Sequence, residues 1–135
     1  MSDIIQGNLP TRRELHAQLD RMTLSSDAKM LMGKLLDTTA EVAGKIIEVG
    51  RQILAFLTDM LRRFPNTGLG LVIGLTLPVV VGAIPLLGVV LGPLVGPILT
   101  AFTVTNGALA DMKNSGLEKQ IELLSAKLNA AIANG

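Results

Sequence analysis

Few residues of this chain have types and spacings suited to catalysis. His16 is the only histidine, and it lies on the polar face of a predicted helix, where a solvated side chain is favoured over a base or a ligand. Asp37 and Glu41 have the spacing of a carboxylate pair on one helical face. Lys34 and Lys45 accompany this pair, so we interpret the group as a salt-bridged surface. No catalytic residue is predicted, and we do not expect an enzyme.

Cofactor, metal and nucleic-acid sites are not predicted either. The chain has no cysteine, which excludes disulfides and thiolate metal sites. Gly68-Leu69-Gly70 lacks the strand, lysine and acidic partner that a phosphate-binding loop requires. The chain carries 12 basic and 11 acidic residues, and no basic cluster is present that would neutralise a nucleic-acid backbone.

A long uncharged segment dominates the sequence. The 47 positions between Arg63 and Asp111 contain no Asp, Glu, Lys or Arg. Such a stretch is rare in a water-soluble domain of this size, because an outer surface needs charge. We therefore divide the chain into an N-terminal amphipathic region (1–64), a hydrophobic hairpin (65–110) and a C-terminal amphipathic helix (111–135).

The uncharged segment is predicted to form a transmembrane or re-entrant helical hairpin. Residues 69–104 are too many for one membrane span and suit two short limbs, about 67–82 and 86–106. The string 81–85 (VGAIP) divides them. Positive charges flank the segment at Arg62, Arg63 and Lys113, and the N-terminus does not resemble a signal peptide. We expect a protein of the inner (cytoplasmic) membrane with both termini in the cytoplasm and the lipid bilayer as partner.

Glycine and proline determine how the hairpin limbs are expected to pack. Glycines spaced by four residues place small side chains on one helical face, where backbones can approach closely. The glycines are Gly70, Gly74, Gly88, Gly92 and Gly96. Packing of the two limbs and contact between subunits are both compatible with them, and we favour a homo-oligomer. Four prolines remove backbone donors and predict kinked limbs: Pro78, Pro85, Pro93 and Pro97.

Amphipathic helices are predicted on both sides of the hairpin. Thr11 and Glu14 form a capping box for a helix that ends near Met22. From Asp27 to Phe64 apolar residues alternate at spacings of three and four, which predicts one helix of 38 residues, roughly 57 Å long, with Ser26 as its N-cap. Residues 115–118 form a second capping box for a helix that we expect to pack antiparallel on the long one. The predicted fold is all-α, without a sheet.

Two functions fit this plan. In the first, identical subunits associate through the glycine faces and form a channel, a pore or a membrane-remodelling assembly. In the second, the chain is a structural subunit of a larger membrane-linked assembly, such as a secretion or conjugation apparatus, a filament or a virion. The first is preferred because the rest of the chain resembles a scaffold for the hairpin. The plan is similar to that of small pore-forming or membrane-shaping proteins that insert an apolar hairpin from one side, but no diagnostic motif is shared.

Overall fold

The computed structural model describes residues 10–22, 24–63, 69–102 and 115–134. These residues form six α-helices and one two-stranded antiparallel sheet, so the chain is predominantly helical, as predicted. The elements are α1 (Arg12–Arg21), α2 (Ser26–Asp37), β1 (Ala40–Val42), β2 (Lys45–Ile47), α3 (Val49–Arg63), α4 (Leu69–Ala83), α5 (Pro85–Ala101) and α6 (Ser115–Asn134).

The first two helices begin at hydrogen-bonded caps. Thr11 Oγ1 accepts a bond from the Glu14 N–H, and Glu14 Oε1 accepts one from the Thr11 N–H, both at 3.1 Å. The predicted capping box is therefore confirmed. Helix α2 begins one residue earlier than expected, because Ser25 is the N-cap and its Oγ accepts a bond from the Ala28 N–H at 3.1 Å.

The prediction of a single 38-residue helix from Asp27 to Phe64 is wrong. The segment forms α2, a β-hairpin and α3 instead. Helix α2 ends at Asp37, and its C-cap Thr38 has an extended backbone. Ala43 and Gly44 form the turn of the β-hairpin with positive φ angles of 54° and 81°, as in a type I′ turn. Glu41 pairs with Ile46 and Val42 with Lys45, so Glu41 and Lys45 do not lie on the helical surface that was predicted for them. The expectation that the fold contains no sheet is also wrong.

Tertiary packing explains why the segment folds back. A continuous helix would leave much of its apolar stripe without a partner. The β-hairpin at residues 40–47 instead brings the apolar stripes of α2 and α3 together. Gly50 permits the close approach of the two helices, since its N–H donates to the Thr38 carbonyl oxygen at 3.0 Å. A Cβ atom at position 50 would overlap the carbonyl group of Leu35.

The predicted division of the uncharged segment into two helical limbs is confirmed. Helices α4 and α5 contain 15 and 17 residues and are separated by Ile84, which is buried. Pro85 is the first residue of α5, a position where its missing N–H has no helical partner to lose. Within the described ranges, no helix combines the length and the apolar character needed to cross a membrane.

One apolar core joins all six helices. Helix α5 packs on α2, whereas α4 packs on α3 and on α6. The main neighbour of α6 is thus α4 and not the N-terminal amphipathic region, with which it shares a smaller contact at α3. The stripe predicted for α6 is buried at Leu117, Ile121, Leu124 and Leu128. The amphipathic helices therefore cover one side of the α4–α5 hairpin.

Candidate interaction surface of the hairpin

The two sides of the α4–α5 hairpin differ in burial but not in polarity. The inner face contacts the amphipathic helices through fully buried aliphatic side chains: Val72, Ile73, Leu77, Val80, Leu87, Leu91 and Ile98. The opposite side is exposed, and we call it the outer face. It consists of Pro78, Val79, Gly82, Ala83, Pro85, Val89, Gly92, Pro93, Gly96, Pro97 and Thr100.

The outer face carries no charge, and its larger apolar side chains are open to the surroundings. Val89 is 78% exposed and Val79 is 45% exposed. Thr100 is its one polar side chain. All charged residues in the described ranges lie between residues 12 and 63 or on α6. The edges of the outer face adjoin charged helices, since Val79 lines a depression together with Glu118 and Glu122, and Pro97 and Thr100 line one together with Asp27.

The structure divides the five predicted glycines between the two faces. Gly74 is buried, and Gly70 and Gly88 are partly buried. A Cβ atom at Gly88 would lie 3.6 Å from the Val81 carbonyl oxygen, so this glycine lies against the neighbouring limb. Gly92 and Gly96 are exposed, and a Cβ atom at either position would meet nothing within 4 Å. The last two glycines have room for another molecule, whereas Gly88 contributes to packing within the hairpin.

Prolines line the outer face beside the exposed glycines. Helix α4 continues through Pro78, and α5 continues through Pro93 and Pro97, while Pro85 only begins α5. All four are exposed. Val89 was not singled out in the sequence, although its spacing of four from both Pro85 and Pro93 places it in the same row of α5.

The flanking charges are found at the end of the helix that leads into the hairpin. Arg62 and Arg63 are exposed in the last turn of α3, seven and six residues, respectively, before α4 begins. Arg63 Nε lies 3.2 Å from Asp59 Oδ2. Lys113 lies outside the described residues. The role of the two arginines as membrane-flanking charges stays a prediction.

The residues considered for chemistry do not come together as a site. His16 is exposed on α1. Asp37 forms an ion pair with Arg12, and Glu41 is on β1, so the two carboxylates do not share a helical face. Among the residues that the structure describes, no group of three or more His, Cys, Asp or Glu side chains is arranged to hold a metal ion.

Comparison of the chain with protein-family models, with curated proteins and with solved structures finds no match. The function is therefore inferred from the geometry and chemistry of the molecule itself.

Proposed function

We propose that this chain is a non-enzymatic membrane protein whose hairpin enters a lipid bilayer and self-associates into a channel, a pore or a membrane-remodelling assembly. The outer face is the observation that carries the proposal. It exposes Val79, Val89 and four prolines and has no charged residue of its own, although Val79 at one edge adjoins Glu118 and Pro97 at the other adjoins Asp27. Contiguous uncharged apolar surface of this kind is typical of contacts with a membrane or with another protein.

The lengths of the limbs favour re-entrant insertion. At 1.5 Å per residue, α4 and α5 are roughly 23 and 26 Å long, whereas the hydrocarbon core of a bilayer is about 30 Å thick. Because α2, α3 and α6 pack along the inner face, the hairpin enters with its outer face toward the lipid and returns to the side on which the charged helices lie. Both termini then lie on that side, which we assign to the cytoplasm because of Arg62 and Arg63.

Self-association is assigned to the exposed glycines of α5. Lipid does not drive helices together by hydrophobicity, so close van der Waals packing has to hold subunits together. Gly92 and Gly96 provide a groove without side chains on the open side of the hairpin. A second copy can therefore bring its backbone close to this row without displacing any part of the fold.

A charge placed on the outer face tests membrane insertion. Val89→Asp changes an exposed side chain, and valine and aspartate have similar helix propensities, so the fold should be retained. An aspartate at the centre of a bilayer costs about 2.5–3.5 kcal/mol, which corresponds to a roughly 70- to 400-fold loss of partitioning. Flotation of the protein with phosphatidylcholine vesicles measures this loss.

Ile46→Asp provides the matched control. Ile46 is 71% exposed, but it lies on β2 and does not belong to the outer face of α4 and α5. We expect this variant to float with vesicles as the wild type does. Equal flotation of wild type and Val89→Asp would refute insertion through the outer face. Dye release from the vesicles then separates the two assemblies, since leakage supports a pore and filaments without leakage support the structural-subunit alternative.

A further inference from the structure

An open surface depression of mixed polar and apolar lining, called the cavity below, lies between α1 and α3, apart from the outer face of the α4–α5 hairpin. Its volume is about 420 Å³, and it is lined by Gln18, Arg21, Met22, Thr58, Leu61 and Arg62. We propose that this cavity binds the phosphate group of an anionic phospholipid headgroup. The inference rests on the proposed function, because it assumes that the hairpin brings the molecule to a bilayer.

The charge of the cavity is the first argument for a phosphate ligand. Arg21 and Arg62 come from two different helices, and no carboxylate lines the cavity. Within the described part of the chain, neither guanidinium has an ion-pair partner. The other arginines of α3 are paired with carboxylates, Arg51 with Glu48 and Arg63 with Asp59. The cavity therefore combines two cations whose charge the surrounding side chains leave uncompensated.

The donors and the shape of the cavity are the second argument. Arginine is suited to phosphate because its planar guanidinium presents several N–H donors, and Gln18 adds an amide. Thr58 is 6% exposed, and its hydroxyl donates to the Ala55 carbonyl oxygen at 3.0 Å. Met22 and Leu61 are partly buried and provide an apolar wall for the glycerol part of a lipid.

The place of the cavity in the chain is the third argument. Arg62 precedes the first residue of α4 by seven positions. Insertion of the hairpin therefore brings this end of α3 to the level of the lipid headgroups. Both arginines also lie in the last turns of their helices, where cations stabilise the helix dipole. That structural role alone predicts a change in stability and no change in lipid preference, which makes the two roles separable.

Vesicle flotation with two lipid compositions tests the cavity. The vesicles contain phosphatidylcholine alone or phosphatidylcholine mixed with phosphatidylglycerol, and the measured quantity is the ratio of the two partition coefficients. Arg21→Gln and Arg62→Gln should each lower this preference for anionic vesicles about fivefold. Arg13→Gln is the matched control, because Arg13 is exposed on α1 and does not line the cavity. It should change the preference less than twofold.

Three results would overturn the cavity as a headgroup site. An equal loss in Arg13→Gln would show general electrostatic attraction to the surface. An unchanged lipid preference together with a lower melting temperature in Arg21→Gln and Arg62→Gln would show a structural role only. Displacement of the protein from anionic vesicles by millimolar inorganic phosphate, at constant ionic strength, would assign the cavity to a soluble anion.

Binding to pure phosphatidylcholine keeps this test separate from the proposed function. If the Arg21→Gln and Arg62→Gln variants float with neutral vesicles as the wild type does, but lose the anionic preference, the cavity and the inserted hairpin are both supported. If the wild type fails to float with neutral vesicles and its binding to anionic vesicles still depends on Arg21 and Arg62, the headgroup site stands and insertion of the hairpin is refuted.

Discussion

Replacing Gly92 by leucine should stabilise the fold and weaken self-association at the same time. Gly92 is exposed within α5, and a Cβ atom there would meet nothing within 4 Å, so a leucine fits without displacing the core. In a second copy packed against the same row, that leucine would occupy the space that the neighbouring backbone needs. The two effects have opposite signs and can be measured on one sample.

The gain in stability follows from helix propensity. Leucine is about 0.8 kcal/mol more favourable than glycine in a helix interior. For a chain of 135 residues this corresponds to a rise of roughly 2–4 °C in melting temperature. Insertion should be retained, because leucine is at least as apolar as the surface that it joins. Circular dichroism melting and analytical ultracentrifugation in one detergent give the stability and the oligomer size.

Gly82→Leu is the control for this experiment. Gly82 is also exposed and open, but it lies near the end of α4 and outside the glycine row of α5. We expect this variant to keep the oligomer size of the wild type. An unchanged oligomer size in Gly92→Leu would remove the glycine row from the interface. A lower melting temperature of Gly92→Leu would show that this side of α5 is packed within the subunit.

The turn between α2 and α3 gives two further predictions. Gly50→Ala should lower the free energy of unfolding by about 1–3 kcal/mol, because the added methyl group overlaps the backbone of Leu35. Its control is Gly33→Ala in the middle of α2, which should raise the free energy of unfolding by about 1 kcal/mol. Urea denaturation of both variants checks the signs, and a stabilising Gly50→Ala would contradict the close approach of the helices. Ala43→Gly should raise the melting temperature by a few degrees, because an alanine in the left-handed conformation costs about 1–2 kcal/mol. The greater conformational entropy of glycine in the unfolded chain offsets part of this gain in stability. An unchanged melting temperature would argue against the positive φ angle at this position.

Local signals predicted the ends of several elements. The capping box at Thr11 and Glu14 located the start of α1, and the string 81–85 located the division between α4 and α5. These signals act within a few residues, so they do not depend on what the rest of the chain does. The prediction of an amphipathic helix near the C-terminus was equally reliable, since α6 buries Leu117, Ile121, Leu124 and Leu128.

The β-hairpin between α2 and α3 could not be predicted from apolar periodicity. Val42 and Ile46 fit the spacing of a helical stripe, yet they lie on two strands, and Ile46 is exposed. The turn at Ala43 and Gly44 contains one glycine and no proline, which is a weak turn signal. What decides the structure is the packing of α3 back onto α2, a contact between residues distant in sequence.

The sequence did not predict which side of α4 and α5 is exposed, for a different reason. Helices α4 and α5 are apolar on all sides, so no polar stripe indicates which side faces the core. Gly88 and Gly92 belong to one glycine repeat, but the structure places the first against α4 and the second in the open. Which side of α4 and α5 is buried therefore depends on where α2, α3 and α6 pack.

The order of the elements along the chain affects how the protein is made. Helices α2 and α3, which cover the hairpin from one side, are synthesised before α4 and α5, and of the described helices α6 alone comes later. Domains emerge from the ribosome from the N-terminus, and local contacts such as those between α2 and α3 form fastest. The hairpin therefore leaves the ribosome when most of its covering surface is already in place. A circular permutant that begins at α4 would expose the hairpin first and should depend far more on chaperones.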